Sequence, residues 1–310
     1  MADAKKDLGE EMGDITPPGA LVEKLDTSLF FDPSANHSSD SPIDQYLENA
    51  ARLSLLYLKE PIKSVYGPDM GKLVLLGYMS AVESFLRAMV RGLVSIDECA
   101  RKTAEPLEIS YAAALHHDKT LLPEALLEGV SFASSAGVCK TLKEVCGIGG
   151  LSDNSTPALK KVFERYDTVC QLRHCCVHRF GRLGARNAQR LGMDEHSLLL
   201  EKPINISVDQ LQEIAAVLQR FVAAVNSYVF EDVLKRSVEC SPTLPKRLPH
   251  RYKSRWTFVL ADDKDRFERY YKLFACTKPS PASPTMAELY DGFCRWANAV
   301  VVAESRRGTK

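Results

Sequence analysis

From residue 41 onward, apolar side chains recur at the three- and four-residue spacing of a helix buried on one side. Ile43, Leu47, Ala50, Leu53 and Leu56 follow Ser41-Pro42, a capping residue with proline at the first helical position, and predict a helix to about Leu58 that Pro61 bends or ends. Asp69 to Val94 predicts a long apolar helix whose one notable acid is Glu83. Ser95-Ile-Asp-Glu98 has the form of a capping box and opens a short helix, whereas residues 104 to 122 are less regular. Pro123 to Phe132 and Ser134 to Cys146 predict two helical pieces, ended by Gly147 and Gly149-Gly150. Ser155, Thr156 and Pro157 then start a long helix that Gly181 and Gly184 stop.

Ser197 to Leu200 and Ile204 to Ile206, flanking Lys202-Pro203, read as two short β-segments. Ser207-Val-Asp-Gln210 is a second capping box, and Leu211, Ile214, Leu218, Phe221, Val222, Val225 and Val229 give the helix it begins a broad apolar face to about Arg236. The pattern is that of an all-α domain over residues 41–238. Residues 1–40 read as a flexible N-terminal tail, with at most a short helix over Ala20 to Leu25. Residues 239–255, with three prolines and Lys246, Arg247, Arg251, Lys253 and Arg255, read as a basic linker. Residues 256–310 form a small α-rich extension: a strand over Trp256 to Leu260, helices over Asp262 to Ala275 and Thr285 to Val302, and aromatics that pack on the helical body.

Forty basic and forty acidic residues cancel, so affinity for nucleic acid has to come from a local patch. Nine cysteines, without the spacing of a disulfide framework, read as reduced thiols. Met1 to Asp14 lacks the apolar core of a secretory signal, and Glu83, Arg87 and Arg91 interrupt the longest apolar run. The expectation is a cytoplasmic protein with no membrane partner.

One stretch concentrates the chemistry. Gln171-Leu-Arg-His-Cys-Cys-Val-His178 closes the long central helix, so Arg173, His174 and His178 fall in its last two turns. Carbonyls left unpaired there favour an imidazolium, which lets histidine titrate near neutral pH. From Thr168 to Met193 there are arginines at 173, 179, 182, 186 and 190 and no acidic residue, a field suited to a phosphate-bearing partner.

Arg173-His174-x-x-x-His178 resembles the Arg-x4-6-His signature of the HEPN superfamily, in which Asn, Asp or His typically follows the arginine. With its helical flanks and arginine-rich loop, the region looks like the RiboL-PSP-HEPN type over roughly residues 41–238. The resemblance implies a HEPN-like up-down helical bundle and a homodimer with two Arg-His helices facing each other in one cleft. It implies a metal-independent endoribonuclease with no cofactor and with RNA as substrate, in a toxin or anti-phage setting with an antitoxin or defence-system partner. Arg173 then steadies the phosphorane, His178 moves the proton and His174 orients the phosphate or shares that transfer. Arg179, Arg182, Arg186 and Arg190 hold flanking phosphates. Glu83, on the helix that packs beside the motif in this superfamily, either orients Arg173 or pairs with Arg87 four residues on.

Three other readings use the same residues. Cys170, His174 and His178 lie at i, i+4 and i+8 with Cys175 close by, a row of soft ligands along one helix face that suits zinc, but no partner pair is evident elsewhere. Arg173 and His178 would, in a purely structural role, satisfy buried carbonyls. A HEPN module can also bind RNA or nucleotide, or scaffold a partner, without cutting. His116-His117-Asp118 reads as polar residues in solvent and not as a metal or acid-base cluster, because adjacent helical residues diverge by about 100°.

Overall fold

A computed structural model describes residues 25–35, 38–59, 67–151, 156–238, 256–278 and 282–307. The chain is all-α: the described residues form eleven α-helices and three 3-10 turns, with no strand among them. Residues 1–39 and 40–310 are separate compact units. In the first, Asp26 caps a 3-10 turn over Thr27–Phe30 by accepting the Ser28 N–H at 3.1 Å. Apart from Leu25, which is not helical, the helix expected over Ala20 to Leu25 lies outside the described residues, as does the basic 239–255 stretch.

In the second unit the helices are α1 (Pro42–Leu58), α2 (Pro68–Ile96), α3 (Glu98–Ala104), α4 (Tyr111–His116), α5 (Ser135–Cys146), α6 (Pro157–Arg179), α7 (Ala185–Leu191), α8 (Met193–His196), α9 (Val208–Val238), α10 (Leu260–Phe274) and α11 (Met286–Arg307). Caps explain several of the starts. Ser41 Oγ accepts the Asp44 N–H at 3.3 Å, and Thr156 Oγ1 accepts that of Leu159 at 3.3 Å. At α9 the box is reciprocal: Gln210 N–H donates to Ser207 Oγ at 3.2 Å, and Ser207 N–H donates to Gln210 Oε1 at 2.9 Å.

Helix α2 is the core element. Val74, Leu75, Tyr78, Val82, Phe85, Leu86, Met89, Val90 and Leu93 are buried on it. Antiparallel α1 lies along it, with Tyr46 against Phe85 at one end and Ser54 and Tyr57 bonded to the Tyr78 hydroxyl at 2.7 and 2.8 Å at the other. By length and composition, Asp69–Ile96 also meets the requirement for crossing a bilayer, contrary to the sequence reading. In this fold its apolar face is covered by protein. Helices α6 and α9 meet through Tyr166 and Phe221, whose rings stack 3.7 Å apart and within 4° of parallel. Burial of such rings stabilises by roughly 1.5–3 kcal/mol each.

The C-terminal aromatics do pack on the helical body. Phe230 of α9 meets Phe267 and Phe274 of α10, while Trp256, Phe293 and Tyr290 surround Phe267. Buried Arg236 of α9 ties this layer to the N-terminal helices. Its guanidinium pairs with Asp97 and donates to the Cys146 carbonyl at 2.7 Å, and the Tyr270 hydroxyl donates to Asp97 at 3.0 Å.

Four expectations change. Ser95 lies inside α2, donating to Arg91 O at 2.9 Å, and Asp97 caps α3 by accepting from Ala100 N–H at 2.8 Å. The piece expected over Pro123 to Phe132 is only a 3-10 turn, Leu122–Leu127, because Arg87 takes the Leu127 and Val130 carbonyls at 2.8 and 3.2 Å. Ser197–Leu199 is a 3-10 turn, and the expected hairpin is replaced by one antiparallel bridge between Arg182 and Pro203. Glu201, at φ 61°, breaks the run beforehand, and proline has no N–H for a longer ladder. Nor is Trp256 to Leu260 a strand: Asp263 accepts the Thr257 and Phe258 N–H groups at 3.1 and 2.9 Å and holds that segment at the entrance to α10.

Candidate functional site

The site grows from the end of α6. Cys170, Cys175 and Cys176 are buried, whereas in the last two turns His174 and His178 are exposed and Arg173 is half-buried beside them. The two imidazoles lie one turn apart on one face, their centroids 4.4 Å from each other and their planes at 48°. Phe180 ends the helix in the left-handed region, at φ 51° and ψ 37°, and Gly181 follows at φ 89°. Glycine is required there twice over: a Cβ on Gly181 would stand 2.8 Å from Ile204 Cγ2 and 3.0 Å from Lys72 Cδ. The sequence expectation of a glycine stop thus holds one residue late, with a phenylalanine taking the first strained position.

The chain then turns back into α7. Asn187, buried on α7, donates through Nδ2 to Gln171 Oε1 of α6 at 3.1 Å and docks the short helix against the site helix. This brings Arg186 and Arg190, both exposed, into electrostatic reach of His174. Partial burial, the His178 ring and the cations Arg173, Arg186 and Arg190 hold the His174 imidazole below its ordinary pKa. The helix C-terminus had suggested the opposite direction, and burial together with the neighbouring positive charge outweighs it. The shift favours the neutral form of His174, the form that can accept a proton.

The other two arginines of the proposed phosphate track are engaged within the chain. Arg179 Nη2 pairs with Glu201 Oε1 at 2.5 Å, and Arg182 Nη1 donates to the Glu201 carbonyl at 2.9 Å. Glu201 was missed because it arrives from 22 residues beyond Arg179 in sequence. Nothing in the local spacing signals it. The exposed Arg179–Glu201 pair is worth at most about 1 kcal/mol, so an incoming phosphate can displace it. Lys72 at the start of α2 was also missed. It comes to the site as the lone cation of an apolar helix turn, with Nζ 4.4 Å from the centroid of the Phe180 ring.

Glu83 does not orient Arg173. Its carboxylate binds Arg87 at 3.0 Å, the second of the two sequence readings, and Arg87 and Arg91 are further tied to Glu124 at 3.4 Å. Arg173 has no carboxylate partner among the described residues.

The cysteine-containing ligand set does not assemble. Burial pushes the Cys170 thiol up to about 12 and the Cys176 thiol up to about 11, and Cys170 is buried while the histidines are exposed. No group of three His, Cys, Asp or Glu side chains is placed to hold a metal ion among the described residues. All eight described cysteines are free thiols. His117 and Asp118 have local roles, His117 Nδ1 lying 3.3 Å from Leu121 O and Asp118 accepting the Thr120 N–H at 2.7 Å.

Taken together, the end of α6 offers two accessible imidazoles and five guanidinium groups, of which only that of Arg179 is tied to a carboxylate among the described residues, an arrangement able to move a proton next to a bound phosphodiester. No family model matches this chain, and no curated protein or solved structure is significantly similar to it.

Proposed function

We propose that this chain is a metal-independent endoribonuclease of the HEPN type, acting as a homodimer whose two Arg173-His174-His178 clusters share one cleft. The observation that carries the reading is the solvent-facing pair of His174 and His178 at 4.4 Å, set against Arg173, Arg186 and Arg190. Neutral His174 takes the proton of a ribose 2′-hydroxyl. The 2′-oxygen attacks the adjacent phosphorus, and Arg173 stabilises the negative charge of the phosphorane. The bond from phosphorus to the 5′-oxygen breaks as that oxygen receives a proton from His178 acting as general acid. The products are a 2′,3′-cyclic phosphate end and a 5′-hydroxyl end, with no metal taking part.

Arg186 and Arg190 hold phosphates beside the cut, and Arg179 and Arg182 join them once Glu201 yields. A toxin or anti-phage role, with an antitoxin or defence-system partner, belongs to the same reading. It predicts a growth defect on expression that His178→Ala relieves.

A second reading, an RNA- or nucleotide-binding or scaffolding module that does not cut, is favoured by one observation. Glu83 is committed to Arg87, which leaves Arg173 without a carboxylate among the described residues to fix its guanidinium. Purified Arg173→Ala and His178→Ala proteins decide between the two. The nuclease reading requires that both keep the helical circular dichroism of the parent and lose RNA cleavage by at least a hundredfold. Full activity in either variant removes it.

A further inference from the structure

Phe180 stands where backbone conformation and exposure would both suit glycine better. Its backbone adopts a left-handed conformation that disfavours a bulky side chain and that glycine takes freely, yet glycine stands only at the next position. Its ring remains 79% exposed, so no burial offsets the strain. The helix would end there equally well with glycine, since the cap is made by backbone: the Phe180 and Gly181 N–H groups both point back to the Cys175 carbonyl. Strain kept without a packing return directs attention to what the ring does in solvent.

The surroundings of the ring specify a ligand. Lys72 Nζ lies over it at 4.4 Å, held in place by Asp69 at 2.6 Å. Arg179 and Arg182 flank it in sequence, and His178 of the proposed catalytic pair is two residues away. An aromatic face set among cations, at the edge of a phosphate-binding surface, is the composition of a single-strand nucleic-acid site, in which a base stacks on the ring and the backbone runs along the cations. Protein–protein interface cores are instead depleted of lysine, which argues against the ring being there only to meet a second copy.

We infer that Phe180 is the stacking platform for an unpaired nucleobase next to the scissile phosphate, which makes the substrate single-stranded or looped RNA. Lys72 fixes one face or edge of the ring and contributes positive charge to the neighbouring phosphate. Phe180 is thus a positioning residue, outside the proton transfers. The inference rests on the ribonuclease reading for its substrate, but its test does not depend on cleavage.

The test measures binding of a 2′-O-methyl RNA dodecamer, which cannot be cut by 2′-hydroxyl attack, and of the same strand carrying one abasic position scanned along it. The parent protein should lose about tenfold in affinity when the abasic site falls at one particular position. Phe180→Trp should keep that sensitivity, whereas Phe180→Leu and Phe180→Gly should bind intact and abasic strands alike, and Phe180→Gly should melt no lower than the parent. Sedimentation of each variant shows whether its oligomeric state has changed. If Phe180→Leu keeps the abasic sensitivity, or loses RNA affinity only in step with loss of self-association, the stacking role is overturned. If the parent binds the dodecamer at no position-dependent strength, the role is equally overturned. Were cleavage by the parent absent while the abasic pattern held, the nuclease reading alone would fall.

Discussion

Asn187 of α7 donates a 3.1 Å hydrogen bond to Gln171 of α6, and through that bond a seven-residue helix too short to be stable alone is held against the helix that carries both candidate histidines. The consequence is electrostatic. Arg186 and Arg190 flank Asn187 on α7 and are carried to within reach of His174.

Asn187→Ala removes the latch without touching a site residue. The lost bond, with Gln171 left partly unsatisfied, should cost about 1 kcal/mol, read as a lower midpoint in urea unfolding. RNA affinity should fall toward that of the Arg186→Ala/Arg190→Ala double variant. Unchanged affinity would mean that α7 docks by other means or contributes nothing to binding.

The charge cluster fixes a pH dependence. His174 is held below its ordinary value by partial burial and by neighbouring cations, so its neutral, proton-accepting form persists as pH falls below the usual histidine range. Cleavage should therefore decline on the acid side with a midpoint below about 6.5. In the Arg186→Ala/Arg190→Ala protein two of the depressing charges are gone, and that midpoint should move up. A midpoint that stays put, or moves down, would separate His174 from the proton transfer.

Salt dependence gives an independent measure of the phosphate track. Each phosphate contact on a single strand contributes a slope of about −0.7 in the logarithm of the binding constant against that of salt. Removal of Arg186 and Arg190 should make the slope about 1.4 shallower. Arg179→Ala should reduce it by a smaller amount, because its guanidinium must first leave Glu201. Equal slopes in all three proteins would place the strand elsewhere.

Much of the fold is legible in the sequence. Helices α1, α2, α5, α6 and α9 announce themselves by apolar period, and the caps read for α1, α6 and α9 act as read, with Ser41, Thr156 and Ser207 all accepting hydrogen bonds from the first helical turn. Two of the errors originate in side-chain partners that take up backbone groups. Arg87 strips the 122–132 segment of carbonyls that a helix would use, and Asp263 takes the N–H groups that a strand at 257–258 would pair. Both partners lie too far away, or in the wrong direction, for a periodicity argument to find. The site shows the same division. Sequence places Arg173, His174 and His178 together because a single helix fixes them, and cannot place Glu201 or Lys72, which reach the site through tertiary folding.

The buried network at Arg236 should dominate stability rather than activity. Arg236→Ala would strand Asp97 in the interior and cost about 3–5 kcal/mol, seen as a large fall in thermal midpoint. Arg236→Met combined with Asp97→Asn should recover much of that loss, because the uncompensated charge is then gone while a polar group remains to cap α3 and to meet Tyr270. If the double variant is no more stable than Arg236→Ala, the cost lies in packing and not in the stranded carboxylate.

The most direct trial of the central claim is to incubate the purified protein with total RNA in excess EDTA and to identify the ends of the fragments. Cleavage that persists under chelation and leaves 2′,3′-cyclic phosphate and 5′-hydroxyl ends is the predicted result. RNA that emerges intact, or fragments that form only when a divalent metal is restored, would contradict it.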